Sequence, residues 1–295
     1  WGIMAIGVYL TYRILDVADL TVDGSLGTGG AVCVVMVLNG VPVGLALLAA
    51  TAAGMLAGLV TGLFHTACGI PAILAGILTQ LALYSVNLRI MGFGTGGGKA
   101  NLPISVDKYG LLVSARYVRN VALNNPILIL TIFCAVLIAV LYWFFGTELG
   151  CSLRATGANQ NMARAQGINT NVTKVLGLMI SNGLVALAGG LLAQYQGFSD
   201  INMGRGAIVI GLAAVIIGEV IFSRIFRNFA LKLLSAVIGA IIYYIVMVFV
   251  LRLGLSTDDL KLLTALVVAL FLTIPYWKGK YFTKTSVKKG EKNHA

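Results

Sequence analysis

Long apolar runs separated by short polar connectors dominate the chain. They lie at about 1–15, 24–38, 43–63, 71–92, 126–146, 173–194, 206–222, 229–250 and 261–275. A helical crossing takes roughly 20 apolar residues, and most of these runs reach that length. The pattern predicts an all-α, polytopic transmembrane helical bundle of about nine spans (8–10), forming one membrane domain over 1–295. Two runs are short. Trp1 to Leu15 begins without a methionine, so part of its helix is expected to precede it, and Ser25 to Leu38 predicts a half-helix that enters only part of a bilayer.

Composition agrees with the pattern. Of the 295 residues, 59% are hydrophobic and 11% charged, whereas soluble domains carry about 25% charged residues. A water-soluble enzyme is therefore excluded. The net charge of +11 would suggest nucleic acid in a soluble protein, but in a membrane chain it reports topology, because cytoplasmic loops are rich in Lys and Arg. The tail 276–295 carries six lysines against Glu291, which predicts a basic cytoplasmic tail. The same alternation puts Arg224, Arg227 and the polar loop 150–170 inside, and Asp258 and Asp259 outside. The stretch 94–125 disagrees, since it falls outside yet carries Lys99, Lys108, Arg116 and Arg119 against Asp107. Cys33, Cys68, Cys134 and Cys151 are far apart and mostly in apolar runs, so they read as buried thiols, with neither a disulfide nor a metal framework. No catalytic set, metal site or cofactor is expected. Small residues spaced by four, at Gly54, Gly58 and Gly62, at Ala186 and Gly190, and at Ala214 and Gly218, predict close helix contacts.

Two polar stretches could carry function. In 16–31, Asp16, Asp19 and Asp23 would share a face of a helix, and Asp23-Gly-Ser25 could break that helix. Asp23 or Ser25 would then cap the following half-helix, whose free N–H groups suit an anionic group. The alternative is a cytoplasmic loop pairing Arg13 with Asp16. The second stretch, 150–169, predicts a short helix from about Asn159 to Gln166, ended by Gly167. Within the spans, Gln80, Tyr84 and Asn87 form one stripe at i, i+4 and i+7. With Asp19, Asp23 and Ser25 they make a candidate solute path, although such groups also serve as bonds between packed helices. Glu219 reads as an ion-pair partner for Arg224 or Arg227. Phe93-Gly-Thr-Gly-Gly-Gly-Lys-Ala100 fails as a phosphate-binding loop, because Phe93 replaces the first glycine and Ala100 the final hydroxyl.

The run Gly157-Ala-Asn-Gln-Asn-Met-Ala-Arg-Ala-Gln-Gly-Ile168, followed by a helix with Ser181-Asn-Gly183 and Leu187-Ala-Gly-Gly190, resembles a segment of bacterial ABC importer permeases of the branched-chain amino acid and ribose type. Gly24, with Gly30-Ala31 six residues on, is similar to that family's N-F-A-H-G-x-x-x-x-x-G-A signature, except that Leu20, Thr21, Val22 and Asp23 replace the usual Asn-Phe-Ala-His. Glu219 stands where the family more often has glycine. The segments Leu15 to Ser25 and Leu78 to Gly92 resemble a subgroup described as tryptophan/tyrosine importer permeases.

The resemblance implies a transport subunit in a bacterial cell membrane, moving a small solute, an amino acid and aromatic by the subgroup. An extracellular binding lipoprotein would deliver the solute, a second copy of the permease would pair as a homodimer, and ATP would be hydrolysed in separate cytoplasmic ATPase subunits. Contact with the ATPase would fall on Gly157, Asn159, Met162, Ala163, Arg164, Gly167 and Ile168, with Met162 and Ala163 inserted into its groove and Arg164 on the rim. The alternative is an ion-coupled secondary transporter or channel using Asp19, Asp23 and Glu219 as a relay. An intramembrane hydrolase built on Ser25 and His65 is disfavoured, because Asp23-Gly-Ser-Leu-Gly27 lacks the first glycine of a nucleophile elbow.

Overall fold

The computed structural model describes residues 1–93, 97–105, 109–114, 125–222, 226 and 228–252, with positions 262, 265, 266, 268–270 and 273. Its elements are α1 (Gly2–Tyr9), prolonged by a π-helical turn (Leu10–Ile14), then α2 (Val22–Leu38), α3 (Val43–Thr66), α4 (Ala72–Met91), β1 (Asn101–Pro103), α5 (Pro126–Phe145), α6 (Glu148–Ala158), α7 (Gln160–Ala165), α8 (Thr170–Gln196), β2 (Phe198–Asp200), α9 (Ala207–Phe222) and α10 (Phe229–Arg252). The protein is an all-α bundle. Among the described residues, five helices, α3, α4, α5, α8 and α10, are long and apolar enough to cross a membrane, and α2 and α9 are shorter apolar helices. At 1.5 Å per residue α2 and α9 are each about 25 Å long, short of the roughly 30 Å hydrocarbon core. Among the described residues, β1 and β2 form a small antiparallel pair in which Leu102 lies opposite Ser199.

Helix α8 is the central post. Ser181, Asn182, Val185 and Ala186 are fully buried, and α1, α2 and α3 all pack on it. Glycines set the distances. A methyl group at Gly54 or Gly58 would run into the Asn182 and Leu178 carbonyls of α8, one at Gly29 into the Ala186 backbone, and one at Gly218 into the Ser235 carbonyl of α10. The spaced small residues therefore act as contact surfaces, where lipid offers no hydrophobic drive and close van der Waals packing must hold the helices.

The break between α1 and α2 falls at 15–21, earlier than the Asp23-Gly-Ser25 position expected from sequence. Asp16 adopts a left-handed conformation (φ 53°), one that Asp tolerates better than most residues. Asp19 Oδ1 then accepts the Thr21 N–H at 2.9 Å, just before α2 begins. Gly24 and Ser25 lie inside α2. Gly24 serves packing rather than a break, since a Cβ there would sit 3.2 Å from the Gln80 Cα of α4. Asp16, Asp19 and Asp23 accordingly do not share a helical face. Helix α2 runs parallel to α8, and α9 antiparallel to it, so the two short helices point away from a common junction.

The thiol expectation is corrected in part. Cys33 is buried and Cys134 intermediate, but Cys68 and Cys151 are exposed, because both lie at helix ends or connectors rather than within the packed faces. Glu219 pairs with Arg13, at 2.9 Å, since α9 runs alongside α1 and brings the two side chains level. Arg224, Arg227, Lys108, Arg116, Arg119, Asp107, Asp258, Asp259 and the tail 276–295 lie outside the described residues.

Candidate functional site

At the junction, the Asp23 carboxylate in the first turn of α2 accepts the Gly206 N–H through Oδ2 and the Ile208 N–H through Oδ1, both at 2.9 Å. These N–H groups belong to the start of α9, which has no intrahelical partners for them. Asp23 thus caps α9 instead of its own helix, and its charge stands at the positive ends of two helix dipoles. A methyl group at Gly204 would strike the Asp23 carbonyl, so only glycine lets the chain enter α9 this closely.

Beside this junction lies a cavity of about 270 Å³, lined by Asp23 and Gly24 from α2, by Gln80, Leu81, Tyr84 and Asn87 from α4, and by Ile201 and Arg205 from the segment before α9. The stripe on α4 faces it because Gln80, Tyr84 and Asn87 fall within two helical turns on one side. Asn87 is 2% exposed. Its Nδ2 makes a long 3.5 Å donation to the Gly24 carbonyl, while its Oδ1 has no partner. A buried acceptor without a donor is costly, and this one lines a cavity that also holds a carboxylate and a guanidinium.

Asp19 and Ser25 lie behind this wall. Asn182 Nδ2 donates to Asp19 Oδ2 at 2.6 Å, and the Ser25 hydroxyl donates to Asn182 Oδ1 at 2.6 Å. Asp19 is 3% exposed and Ser25 not at all. Both fasten α2 to α8 and neither lines the cavity. Asn182 was visible in the sequence only as a polar residue inside an apolar run, and Arg205 only as a lone cation in a brief polar interruption. His65 Nδ1 lies 2.9 Å from the Ile70 carbonyl, whereas the Ser25 hydroxyl is given to Asn182.

At the other end of α8, α6 and α7 form an angled pair. Asn159 Oδ1 accepts the Asn161 and Met162 N–H groups at 3.0 and 3.1 Å and so starts α7. Gly167, at φ 83°, ends it, and the Ile168 N–H returns to the Ala163 carbonyl at 3.0 Å. Arg164 Nε donates to Thr170 Oγ1 at 2.8 Å, and Thr156 and Thr173 hydroxyls meet at 2.9 Å. A methyl group at Gly157 would meet the Ile14 carbonyl. The pair is therefore tied firmly to α8 and to the end of α1. Met162 is 56% exposed but Ala163 only 1%, so Ala163 packs inward and does not project as expected, because the helix turns that face toward its own chain.

The fold is thus a membrane helical bundle in which two short helices meet beside a polar cavity, with the α6–α7 hairpin at the other end of α8. The chain belongs to the family of branched-chain amino acid transport system permease components, whose profile matches residues 1–274. It is a transport subunit, the membrane-spanning permease of an ABC importer. It is 41% identical to a tyrosine transport system permease protein of Clostridioides difficile, over 92% of this chain and 86% of that one. An uncharacterized protein of Rickettsia prowazekii is 37% identical over 92% of both chains. The ribose import permease of Escherichia coli is 28% identical over 74% of this chain and 65% of its own. No solved structure matches the chain.

Proposed function

We propose that this permease carries an amino acid, an aromatic one by its likeness to the tyrosine permease, past the Asp23 cavity. The observation that carries the reading is the polar set around that cavity: Asp23, the unpartnered Asn87 Oδ1 and Arg205. An α-amino acid has an ammonium to donate to Asn87 and Asp23 and a carboxylate for Arg205. Tyr84 and Leu81 offer an apolar wall to a side chain. The cavity is open on the side where Tyr84 is 43% exposed, and a second copy of the chain would close it. Asp19 and Ser25 act indirectly, by fixing α2.

The α6–α7 hairpin suits coupling to a separate cytoplasmic ATPase. Met162 supplies an exposed apolar contact, while Asn159, Gly157, Gly167 and Ile168 shape the hairpin, Ala163 packs beneath it, and Arg164 braces it against Thr170. This reading makes the basic tail cytoplasmic and leaves solute delivery to an extracellular binding lipoprotein.

The test is reconstitution in lipid with the candidate ATPase and binding protein. Tyrosine-loaded binding protein should stimulate ATP hydrolysis and tyrosine uptake, and Met162→Asp should leave hydrolysis running without uptake. Absence of any complex with an ATPase would favour the ion-coupled carrier instead.

A further inference from the structure

Two cavities meet at the end of the bundle where α5 stops and α10 starts. One, of about 270 Å³, is lined by Arg13, Arg154 and Lys232. The other, of about 390 Å³, is bounded by Tyr142 and Trp143. Both share Arg154 and Phe229, and the Arg154 guanidinium lies over the Phe229 ring, 5.5 Å from its centre. We propose that this double cavity binds an anionic phospholipid, with its phosphate among Arg13, Arg154 and Lys232 and an acyl chain along Tyr142 and Trp143.

Charge, shape and position each support the assignment. Glu219 neutralises Arg13, but among the described residues Arg154 and Lys232 have no carboxylate in ion-pair contact, so two positive charges face one cavity. Guanidinium groups suit phosphate oxygens through paired donors, and basic pockets between spans hold anionic headgroups. The neighbouring cavity offers a chain the aromatic side chains of Trp143, 72% exposed, and Tyr142, 56% exposed, beside Phe145 and Phe229. Helices α5 and α10 are candidate spans, and their meeting ends mark the level at which a crossing helix leaves the hydrocarbon, where Trp, Tyr and basic residues collect. Arg154 also belongs to α6, so an occupied site would steady the hairpin that carries Met162.

Native mass spectrometry of the full chain, stripped of lipid and then titrated with phosphatidylglycerol, cardiolipin, phosphatidylcholine or inorganic phosphate, tests this. The anionic lipids should be retained over phosphatidylcholine. A cation near the surface contributes about fivefold, so Arg154→Gln with Lys232→Gln should weaken retention roughly 30-fold, and Arg154→Lys should restore part of it. Thermal melting of each variant in the same detergent checks that it is folded, and Lys232→Gln alone, at an exposed position, should weaken retention about fivefold. Equal retention of neutral and anionic lipid, or no loss in the folded variants, would overturn the site. Phosphate bound without lipid preference would overturn the phospholipid as its occupant.

Discussion

Asp23 Oδ1 accepts the backbone N–H of Ile208 at 2.9 Å, so the residue that opens α2 also closes the start of α9, 185 positions later. Loss of such a cap costs about 0.5–2 kcal/mol. Asp23→Ala removes both acceptors and should lower the melting temperature and abolish uptake in vesicles. Asp23→Asn keeps one acceptor and the side-chain shape, and should fold nearly as well while transporting poorly. Normal uptake by Asp23→Asn would confine the residue to a structural part.

Asn182 bonds both Asp19 and Ser25, which makes it the clasp between α2 and α8. Asn182→Leu would leave the Asp19 carboxyl without its 2.6 Å donor inside the bundle, at a cost of about 3 kcal/mol or more. Little folded protein should survive size-exclusion chromatography in detergent. Ser25→Ala removes one bond of about 1 kcal/mol and should remain folded.

Gly58 and Gly44 separate packing from helix propensity on one helix. A Cβ at Gly58 meets the Leu178 carbonyl, while Gly44 has nothing within 4 Å. Gly58→Val should push α3 from α8 and destabilise by about 1–3 kcal/mol. Gly44→Ala should be neutral or slightly stabilising, because alanine favours helix by up to ~1 kcal/mol. Thermal melting compares them directly.

Among the described residues, apolar run length located the helices well, because the requirement to satisfy every backbone group in lipid favours helices. α3, expected at 43–63, is Val43–Thr66, and α5, expected at 126–146, is Pro126–Phe145. Asn159 and Gly167 were legible as start and stop signals for α7, since capping is a local interaction. The α2 break was not, because Gly24 could signal either a turn or a close approach, and only the position of Gln80 decides between them. The partners of Asp23, Asn182 and Glu219 come from remote positions and leave no local mark. The cavity stripe on α4 was legible as a periodicity, whereas Arg205 opposite it depended on how the chain enters α9.

Arg13 and Glu219 test whether an acid within an apolar run is a working group. Their side chains are 61% and 30% exposed, and ion pairs of this kind contribute about 0–1 kcal/mol. Glu219→Gln should therefore melt within a few degrees of the parent and keep most of its uptake. A collapse of uptake with the melting temperature unchanged would make Glu219 part of the transport path and would favour a proton or cation relay.

Asn87 gives the sharpest separation of stability from function. Its Oδ1 is buried without a partner, and an unmet buried acceptor costs about 1–3 kcal/mol. Replacing it by leucine, which has a similar volume and no polar group, relieves that cost, and the lost 3.5 Å bond to Gly24 is weak. Asn87→Leu should hold or raise the melting temperature while uptake falls, because the solute ammonium loses an acceptor. Gln80→Leu, at the other end of the same stripe, should lower uptake with little change in folding. If Asn87→Leu destabilised the protein and spared transport, Asn87 would be a packing residue, and the cavity beside it would have no claim on the solute.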